Sequence, residues 1–511
     1  MTSDETYRRE YGESVGLLKN LIAGPESGSI GYFASSVDKD NYKRLFTRDA
    51  FWIGVAALLT GDDGLIEGFK ASLAALAGHQ REDGAIPSNI SSDGKVSYGI
   101  INPRVDPTTL YVLGCVLFHE ERCDSGFLRQ YSGSVDLAMD YLEKTWENPE
   151  LELLYIPRAG NWADEYLQQG YVLYDEVLWY LALKGYAGLI AKKDSDRALY
   201  YRGKAERVKR LIRERFWIRK IRVEDDDIYG QIRNRFDFNR TGYFLHFFHV
   251  TDRSDPFLGH SHGIFDAFGN ALALLAGIPT EEQALKIAGF VDEISVNKYP
   301  LVPAHYPFFS EDIFRSRKLH QYRFKEYVGH FHNGGLWPWY TGLYAAYFAR
   351  EGDTGRALKF LEGIMKANRD KKNGMRFYEY HSGKKAEIDL KVGYARGVDF
   401  YLSMLMSGLV KRSKSTVRIK YGGKKVETGD DIAVRGLDVK KGDRIRVIAV
   451  GPDSGEVLSE MMMLKHGNVK FFEGGKLVVK GSYPGGAPFL GVSAAAFIIA
   501  YKAVFDEKCI L

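Results

Sequence analysis

The sequence predicts an all-α protein: an (α/α)6 barrel, in which a ring of buried helices lies inside a ring of outer helices, with a small β-rich region at the C-terminal end. Two observations predict this architecture. Segments that are apolar on nearly every side alternate with segments that carry one apolar stripe at helical spacing. Beyond about residue 411, short β-type stretches replace the helical pattern. The alternation has no accompanying sequence repeat, which disfavours a helical solenoid.

The segments that are apolar all round are predicted to form the inner ring, because such a helix has no face for solvent. They span residues 49–59, 107–118, 172–190, 265–276, 335–349 and 393–409. The segments with a single stripe are predicted to form the outer ring, and they span residues 8–22, 63–77, 132–146, 196–216, 280–294 and 354–367. The chain therefore alternates between outer and inner helices for about six pairs, ending near Leu409.

The composition changes at the run KRSKS, which is a plausible linker. The β-type stretches that follow are separated by glycine pairs and other turn residues, and they span residues 416–421, 431–434, 444–450, 469–472 and 476–480. A last helix, over about residues 492–505, is predicted to pack back on the barrel. We therefore expect a catalytic barrel over residues 1–411 and a β-rich accessory domain with a terminal helix over residues 412–511.

Composition and charge narrow the class of protein. The chain has 511 residues, of which 70 are basic and 66 acidic, and this small excess predicts neither a nucleic-acid nor a membrane partner. Three sparse cysteines favour a reducing compartment. The first 16 residues are polar and lack the apolar stretch of a signal peptide, and the longest apolar run, over about 491–505, contains Lys502. These features predict a soluble cytoplasmic protein, while the oligomeric state stays open.

Aromatic and polar side chains gather in the loops that precede the inner helices. In a barrel these loops share one end, and they span residues 43–52, 102–109, 158–165, 330–340 and 375–383, with 79–88 on the same rim. Aromatic faces stack on the C–H groups of a sugar, and charged and amide groups bind its hydroxyls. The loops therefore predict a small sugar or an oligosaccharide as the substrate.

Hydrolysis of a glycosidic bond needs one protonated and one ionised carboxyl group. Asp164, in NWADE beside Trp162, is the preferred candidate for the acid, because an aromatic neighbour raises the pKa of a carboxyl group. Glu165 is the alternative acid, and either residue could simply cap a helix. Glu379, between two tyrosines in FYEYHSG, is the candidate base, and its alternative is a surface residue paired with Lys384 or Lys385.

The remaining candidates are predicted to bind the sugar. Arg48 and Asp49 open the first inner segment and, with Trp52, suit a clamp for vicinal hydroxyls, although Asp49 could serve only the helix dipole. Asp106 could likewise either bind a sugar hydroxyl or serve only the helix dipole. Trp162, His332 and Asn333 are also predicted to bind the substrate. Trp337 and Trp339 either pack in the core where the helix starts or form a wall on which the sugar stacks.

Histidines occur twice in the spacing HxH, at His260 and His262 and at His330 and His332. A metal site needs further ligands and supporting groups, and the sequence offers none that is evident. We therefore predict that the protein has no metal and no cofactor.

These motifs together resemble the (α/α)6 glycosidases, the group that holds glycoside hydrolase family 63, the amylo-α-1,6-glucosidase part of glycogen-debranching enzymes, the trehalases and the neutral invertases. The resemblance covers about residues 30–410. Its pieces occur in the group's order and are TRDAFW, QREDGAIPSN, VDPTTLY, NWADE, FDAFGNALALLAG, HNGGLWPW and FYEYHSGK. NWADE departs in detail from the trehalase and family 63 forms, and the tail beyond Lys411 has no counterpart.

The resemblance implies that Asp164 is the general acid and Glu379 the general base. It also implies a sugar subsite that includes Arg48 and Asp49, with the piece HNGGLWPW supplying His332, Asn333, Trp337 and Trp339. The group inverts the anomeric centre without a metal, which implies an exo-acting, inverting hydrolase that releases glucose or a related hexose from an α-glucoside. The alternatives are a sugar epimerase or polysaccharide lyase on a similar barrel, which would use His330, His332 or Tyr380, and a non-catalytic carbohydrate-binding protein.

Overall fold

The structure is a computed structural model. It describes residues 3–23, 31–39, 41–100, 102–164, 169–217, 242–248, 264–295, 299–306, 328–383, 385–451, 453–473, 475, 477–480 and 483–509. The chain divides into two compact units. The first unit comprises Met1–Ile294, Trp337–Glu379 and Gly486–Leu511, and the second comprises Ser295–Leu336 and Tyr380–Gly485.

The first unit is mainly helical. Its described helices are α1 Ser3–Asn20, α2 Thr47–Thr60, α3 Asp63–Gly78, α4 Asp106–Arg122, α5 Ser125–Tyr141 with a π-helical turn at Leu142–Trp146, α6 Leu173–Ile190, α7 Ser195–Arg215, α8 Ala267–Leu275, α9 Glu281–Ile294, α10 Pro338–Arg350, α11 Thr354–Arg369 and, from the far end of the chain, α15 Gly491–Phe505. Short strands connect them: β1 Arg44–Phe46, β2 Asn89–Ser91, β3 Val96–Ser97, β4 Glu147–Asn148, β5 Leu153–Ile156, β6 Gly170–Val172, β7 Phe247–Phe248 and β8 Phe265–Asp266. β1, β2 and β3 form one sheet, and β4 to β7 another.

Six of the described helices contact one another in a closed cycle. α2 contacts α4, and the contacts continue through α6, α8, α10 and α15 until α15 meets α2 again. Nearly every residue of these helices is buried, as their composition predicts. Helices with one apolar stripe pack outside them, with α3 on α2, α5 on α4, α7 on α6 and α11 on α10. The first five buried segments are therefore confirmed as buried helices.

The sixth buried helix is not the one that the sequence predicted. Residues 393–399 form no helix, and α12 (Phe400–Arg412) belongs to the second unit. α12 buries one face, through Leu402 and Met406, while Phe400 on its other side is 58% exposed. α15 takes the sixth place because it is apolar on all sides and is buried continuously over residues 491–500.

The second unit is built around a six-stranded antiparallel sheet. The described strands of the second unit, inside and outside this sheet, are β9 His305–Tyr306, β10 Tyr380–Ser382, β11 Lys385–Val392, β12 Thr416–Tyr421, β13 Lys424–Glu427, β14 Arg444–Val450, β15 Lys465–His466, β16 Val469–Lys470, β17 Phe472–Glu473, β18 Val478–Lys480 and β19 Tyr483–Gly485. The large sheet has the order β13-β12-β14-β11-β17, and β18 also pairs with β11. Three helices cover one face of it: α12, α13 Asp431–Arg435 and α14 Ser454–Met462.

The predicted boundary at residues 411 and 412 does not coincide with this division. The β-rich unit starts earlier, because β11 and α12 share its core with β12 and β14, and α15 belongs to the helical unit. The stretch 431–434 was predicted as β-type and is helical. Asp430 explains the difference, since its side chain accepts the backbone N–H groups of Ile432 and Ala433 and so caps a helix.

The contact between α10 and α15 gives a test of the closed cycle. A Cβ atom added at Gly342 would lie 2.5 Å from the carbonyl oxygen of Ala496. We expect Gly342→Ala to lower the free energy of unfolding by about 2 kcal/mol, measured by urea denaturation. Gly188→Ala in α6 is the matched control, because nothing lies within 4 Å of its added Cβ. The control should be neutral or stabilising, and equal losses in both variants would contradict this packing.

Candidate active site

The first turns of three buried helices meet through one charged cluster. Arg48, in the first turn of α2, places Nε 2.8 Å from Oδ2 of Asp106 at the start of α4. The hydroxyl of Tyr174, at the start of α6, donates to the same oxygen over 3.2 Å. Burial disfavours the guanidinium charge, but Asp106 and Tyr174 outweigh that effect, so the pKa of Arg48 is raised. Arg48 and Asp106, from two loops that the sequence predicts to share one rim, therefore form a buried ion pair.

Asp164 is held by an arginine that the sequence analysis did not single out. Nη2 of Arg104 forms a salt bridge with Oδ2 of Asp164, and Nη1 donates to the hydroxyl of Ser88 over 2.6 Å. The Arg104 side chain is only 9% exposed. The candidate acid is therefore held in place by a charge-assisted contact to a nearly buried arginine.

The four candidate tryptophans pack on one another. Trp162 contacts Trp337 and Trp339 with ring centroids 6.0 and 6.4 Å apart, and Trp52 contacts Trp339 at 6.3 Å. All four are at most 5% exposed. Phe268, at the start of α8, completes the cluster, with its ring centroid 4.7 Å from that of Trp339. For Trp337 and Trp339 this geometry favours core packing over an exposed stacking wall, the two interpretations that the sequence left open.

Glu379 lies in an extended segment that pairs with the residues before α15. Its backbone N–H donates to the carbonyl of Ala487 over 3.0 Å, and the N–H of Ala487 donates to Oε2 of Glu379 over 3.2 Å. Gly486 makes this approach possible, because its φ is +72° and an added Cβ would collide with the Glu379 carboxylate. Glu379 is 4% exposed and is not a surface residue.

The hydroxyl of Tyr42, a residue that was not among the predicted ones, contacts the candidate base. This hydroxyl donates to Oε1 of Glu379 over 2.5 Å. Its pKa is raised well above 10, first by burial and then by the negative charges of Glu379, Asp49 and Asp164. The hydroxyl of Tyr42 therefore contacts Glu379 directly, and the charges of Asp49 and Asp164 act on it as well.

Asp49 carries a carboxyl group whose pKa is shifted by its position. Burial raises this pKa to about 6 against the opposing charge of Arg48. In the unfolded chain the value is about 3.9. The folded state therefore binds this proton more tightly, and the stabilisation that results is complete below about pH 4 and is lost as the pH rises through about 6.

A neutral substitution at Asp49 should therefore stabilise the protein only at higher pH. We expect Asp49→Asn to raise the free energy of unfolding by about 3 kcal/mol at pH 8 and to have little effect at pH 4. Urea denaturation at the two pH values measures the difference. A stabilisation that is equal at both pH values, or a loss of stability at pH 8, would contradict the assignment.

Further buried acids lie beside the site and were not among the predicted residues. Asp175 and Glu176 follow Tyr174 in α6, and burial raises the pKa of each well above its ordinary value. Asn161, in the NWADE loop, donates to Oδ2 of Asp175 over 2.9 Å and so ties that loop to α6. The sequence signal that marks Asp175 and Glu176 is an acidic pair inside an otherwise apolar helix.

His332 and Asn333 belong to the second unit. Both are buried, with 2% and 0% exposure. The ring of His305 contacts the carbonyl oxygen of His332 through Nδ1 at 2.8 Å, and the Asn333 carbonyl accepts the N–H of Gly329.

Glu165, the alternative acid, and the pair His260 and His262 lie outside the described residues. Among the helices of the described ranges, none combines the length and the apolar composition that a bilayer span requires.

Comparison with known proteins identifies a fold. No protein-family model and no curated protein matches the sequence. A solved structure of a wild-type glycosidase matches with a TM-score of 0.51 at 13% identity, covering 74% of this chain and 88% of the other. A variant glycosidase matches with a TM-score of 0.51 at 14% identity over the same shares. An uncharacterized conserved protein from Thermus thermophilus matches with a TM-score of 0.51 at 13% identity, covering 73% and 94%. At these identities the chain is shown to share a fold with solved glycosidases.

Proposed function

We propose that the protein is an inverting glycoside hydrolase that releases glucose, or a related hexose, from an α-glucoside. We further propose that the closed cycle of buried helices is the inner ring of an (α/α)6 barrel. The observation that carries the proposal is the position of Tyr42, whose hydroxyl contacts Glu379 and lies within electrostatic reach of Asp164. Two candidate carboxyl groups from distant parts of the chain therefore face one polar site at the start of the buried helices.

Glu379 is proposed as the general base. The hydroxyl of Tyr42 and the backbone N–H of Ala487 both donate to its carboxylate oxygens. Donors of this kind favour the ionised form, which is the form that removes a proton from the attacking water. The water then attacks the anomeric carbon from the face opposite to the leaving group, which inverts the configuration.

Asp164 is proposed as the general acid, with Glu165 as the alternative. The acid must hand a proton to the leaving oxygen, whereas in the free protein the carboxyl group of Asp164 is occupied by its contact with Arg104. Catalysis by Asp164 therefore requires that the bound leaving group displaces Arg104. Once the guanidinium is displaced, the neighbouring Trp162 offers the apolar surroundings that favour a neutral carboxyl group.

The cluster of Arg48, Asp49 and Asp106 is proposed to bind the hydroxyls of the reacting sugar, with Trp52, Trp162, Trp337 and Trp339 forming the packed support behind it. For His332 and Asn333 we keep, as a proposal, the contact with the sugar that the sequence predicts. The sparse cysteines, Cys115, Cys123 and Cys509, support a reducing compartment such as the cytoplasm.

The role of Tyr42 can be tested separately. Tyr42→Phe removes one donor to the proposed base, so we expect kcat to fall about tenfold and the acid limb of kcat/KM to move to higher pH. Tyr421→Phe is the matched control, because Tyr421 also donates to a carboxylate, that of Asp443, over 2.5 Å. Unchanged kcat and pH profile in Tyr42→Phe would contradict the role of Glu379 as the base.

The function itself is tested with a panel of α-glucosides: trehalose, sucrose, kojibiose, nigerose, maltose, isomaltose and glucosylglycerate, with mannosylglycerate as the mannose counterpart. Release of a hexose from one member is the expected result. Release from none of them, together with formation of an unsaturated sugar from an acidic polysaccharide or epimerisation of a free sugar, would favour the lyase or the epimerase. Sugar binding that persists in Asp164→Asn without any turnover by the wild type would favour a binding protein.

A further inference from the structure

The open face of the large sheet in the second unit carries an excess of positive charge. Alternate residues of β11, β12 and β14 point into the core that the helices cover, among them Ile388, Ile419 and Val447. The residues between them point to the other face, because successive side chains of a strand alternate. We call this other face the cationic face, and its basic residues are Lys385, Lys391, Arg418, Lys420, Lys425, Arg444 and Arg446.

The strand register places like charges opposite each other. Lys420 of β12 is paired with Lys425 of β13 on one side and with Arg446 of β14 on the other. Directly opposed like charges destabilise a sheet. All three side chains belong to exposed residues. This row of three basic residues, Lys425, Lys420 and Arg446, therefore lowers the stability of the sheet and contributes nothing to its core.

The acidic residues of the cationic face are already engaged. Asp389 binds Arg446 through two contacts of 2.8 and 2.9 Å. Glu427 binds Arg418 at 3.1 Å, and Glu387 binds Lys385 at 2.5 Å.

Lys420, Lys425 and Arg444 form no salt bridge with any residue that the structure describes. Their charge is therefore available to an anion from outside.

Lys420 and Lys425 line a depression of about 160 Å³, together with Arg446, Ile448 and Val450. Adjacent strands are about 4.8 Å apart, so the row presents cations at regular steps across the sheet. The described part of the face offers no aromatic ring on which a nucleobase could stack, as single-stranded nucleic acids require.

We propose that the cationic face is a binding surface for an anionic polysaccharide, a polymer with repeated carboxylate, sulfate or phosphate groups. Lys420 and Lys425 contact its anionic groups, and Val450, which is 45% exposed, lies against the sugar backbone. The site is independent of the proposed hydrolytic centre, whose described carboxylates lie in the first unit.

The test uses the full chain with dextran sulfate as the probe and dextran as the neutral polymer of the same backbone. We expect dextran sulfate to bind and dextran not to bind. The double variant Lys420→Glu/Lys425→Glu should weaken binding of dextran sulfate by about tenfold or more, and lower the slope of log affinity against log salt by about two. Hydrolysis of a small α-glucoside should be unchanged, which separates this proposal from the proposed function.

The matched control is Lys192→Glu/Lys193→Glu, which makes the same change of charge at two exposed lysines of the first unit. Its affinity for dextran sulfate should stay within about twofold of the wild type. Equal weakening in both double variants would overturn the proposal, because binding would then follow net charge alone. Tighter binding of a DNA of equal charge, lost in the Lys420→Glu/Lys425→Glu variant, would also overturn it in favour of a nucleic-acid surface.

Discussion

Asp164→Asn is expected to hydrolyse α-D-glucosyl fluoride nearly as well as the wild type while losing about a thousandfold in kcat on a natural α-glucoside. Fluoride leaves without a proton, so this substrate does not need the general acid. Glu379→Gln is expected to lose about a thousandfold or more on both substrates, because every turnover needs an activated water. The comparison therefore separates the roles of acid and base, which a simple loss of activity cannot do.

The controls are Asp196→Asn and Glu206→Gln on α7, which make the same chemical changes at exposed positions away from the site. Both should keep full activity on both substrates. If Asp164→Asn loses the fluoride as well, its role is not proton donation. If it keeps activity on natural α-glucosides, Glu165 becomes the stronger candidate for the acid.

Loss of Arg48 is expected to cause the largest change in stability. The Asp106 side chain is fully buried, and Arg48 is its ion-pair partner. Arg48→Met leaves an uncompensated buried charge, so we expect the free energy of unfolding to fall by about 3–5 kcal/mol, measured by urea denaturation. The double variant Arg48→Met/Asp106→Asn should recover a large part of this loss, since both charges are then removed.

An exposed pair is the control for that measurement. Lys144 pairs with Asp140 at 2.7 Å, with side chains 74% and 37% exposed. Lys144→Met should change the free energy of unfolding by about 0.5 kcal/mol or less. A similar small effect in Arg48→Met would show that the pair with Asp106 is not buried as described.

The sequence predicted those elements whose structure follows from local periodicity. The first five buried helices and the strands at 416–421 and 444–450 appear within a few residues of their predicted bounds. The sixth buried helix was misassigned, because 393–409 and 491–505 are both apolar and periodicity does not say which one closes the cycle. Which of the two segments closes the cycle depends on β11. This strand belongs to the core of the second unit, and residues 393–409 follow it there.

The predicted site shows the same contrast between what the local sequence pattern predicts and what only the tertiary fold determines. Arg48 and Asp106 lie together because both open buried helices, and the sequence pattern places helix starts well. Tyr42 was missed because it precedes the candidate loop 43–52, and Arg104 was missed because nothing in the loop 102–109 marks it as a partner of Asp164. Each has a partner far along the chain, Glu379 for Tyr42 and Asp164 for Arg104, and only the tertiary fold brings them together.

The most direct test of the central claim is the anomer that the wild-type enzyme first releases. Proton NMR, started within the first minutes of hydrolysis of the best α-glucoside from the panel, distinguishes the two anomers before they equilibrate. An inverting hydrolase with Asp164 as acid and Glu379 as base releases β-glucose first. Release of α-glucose first would show retention and would contradict the assignment of Glu379 as a base that activates water.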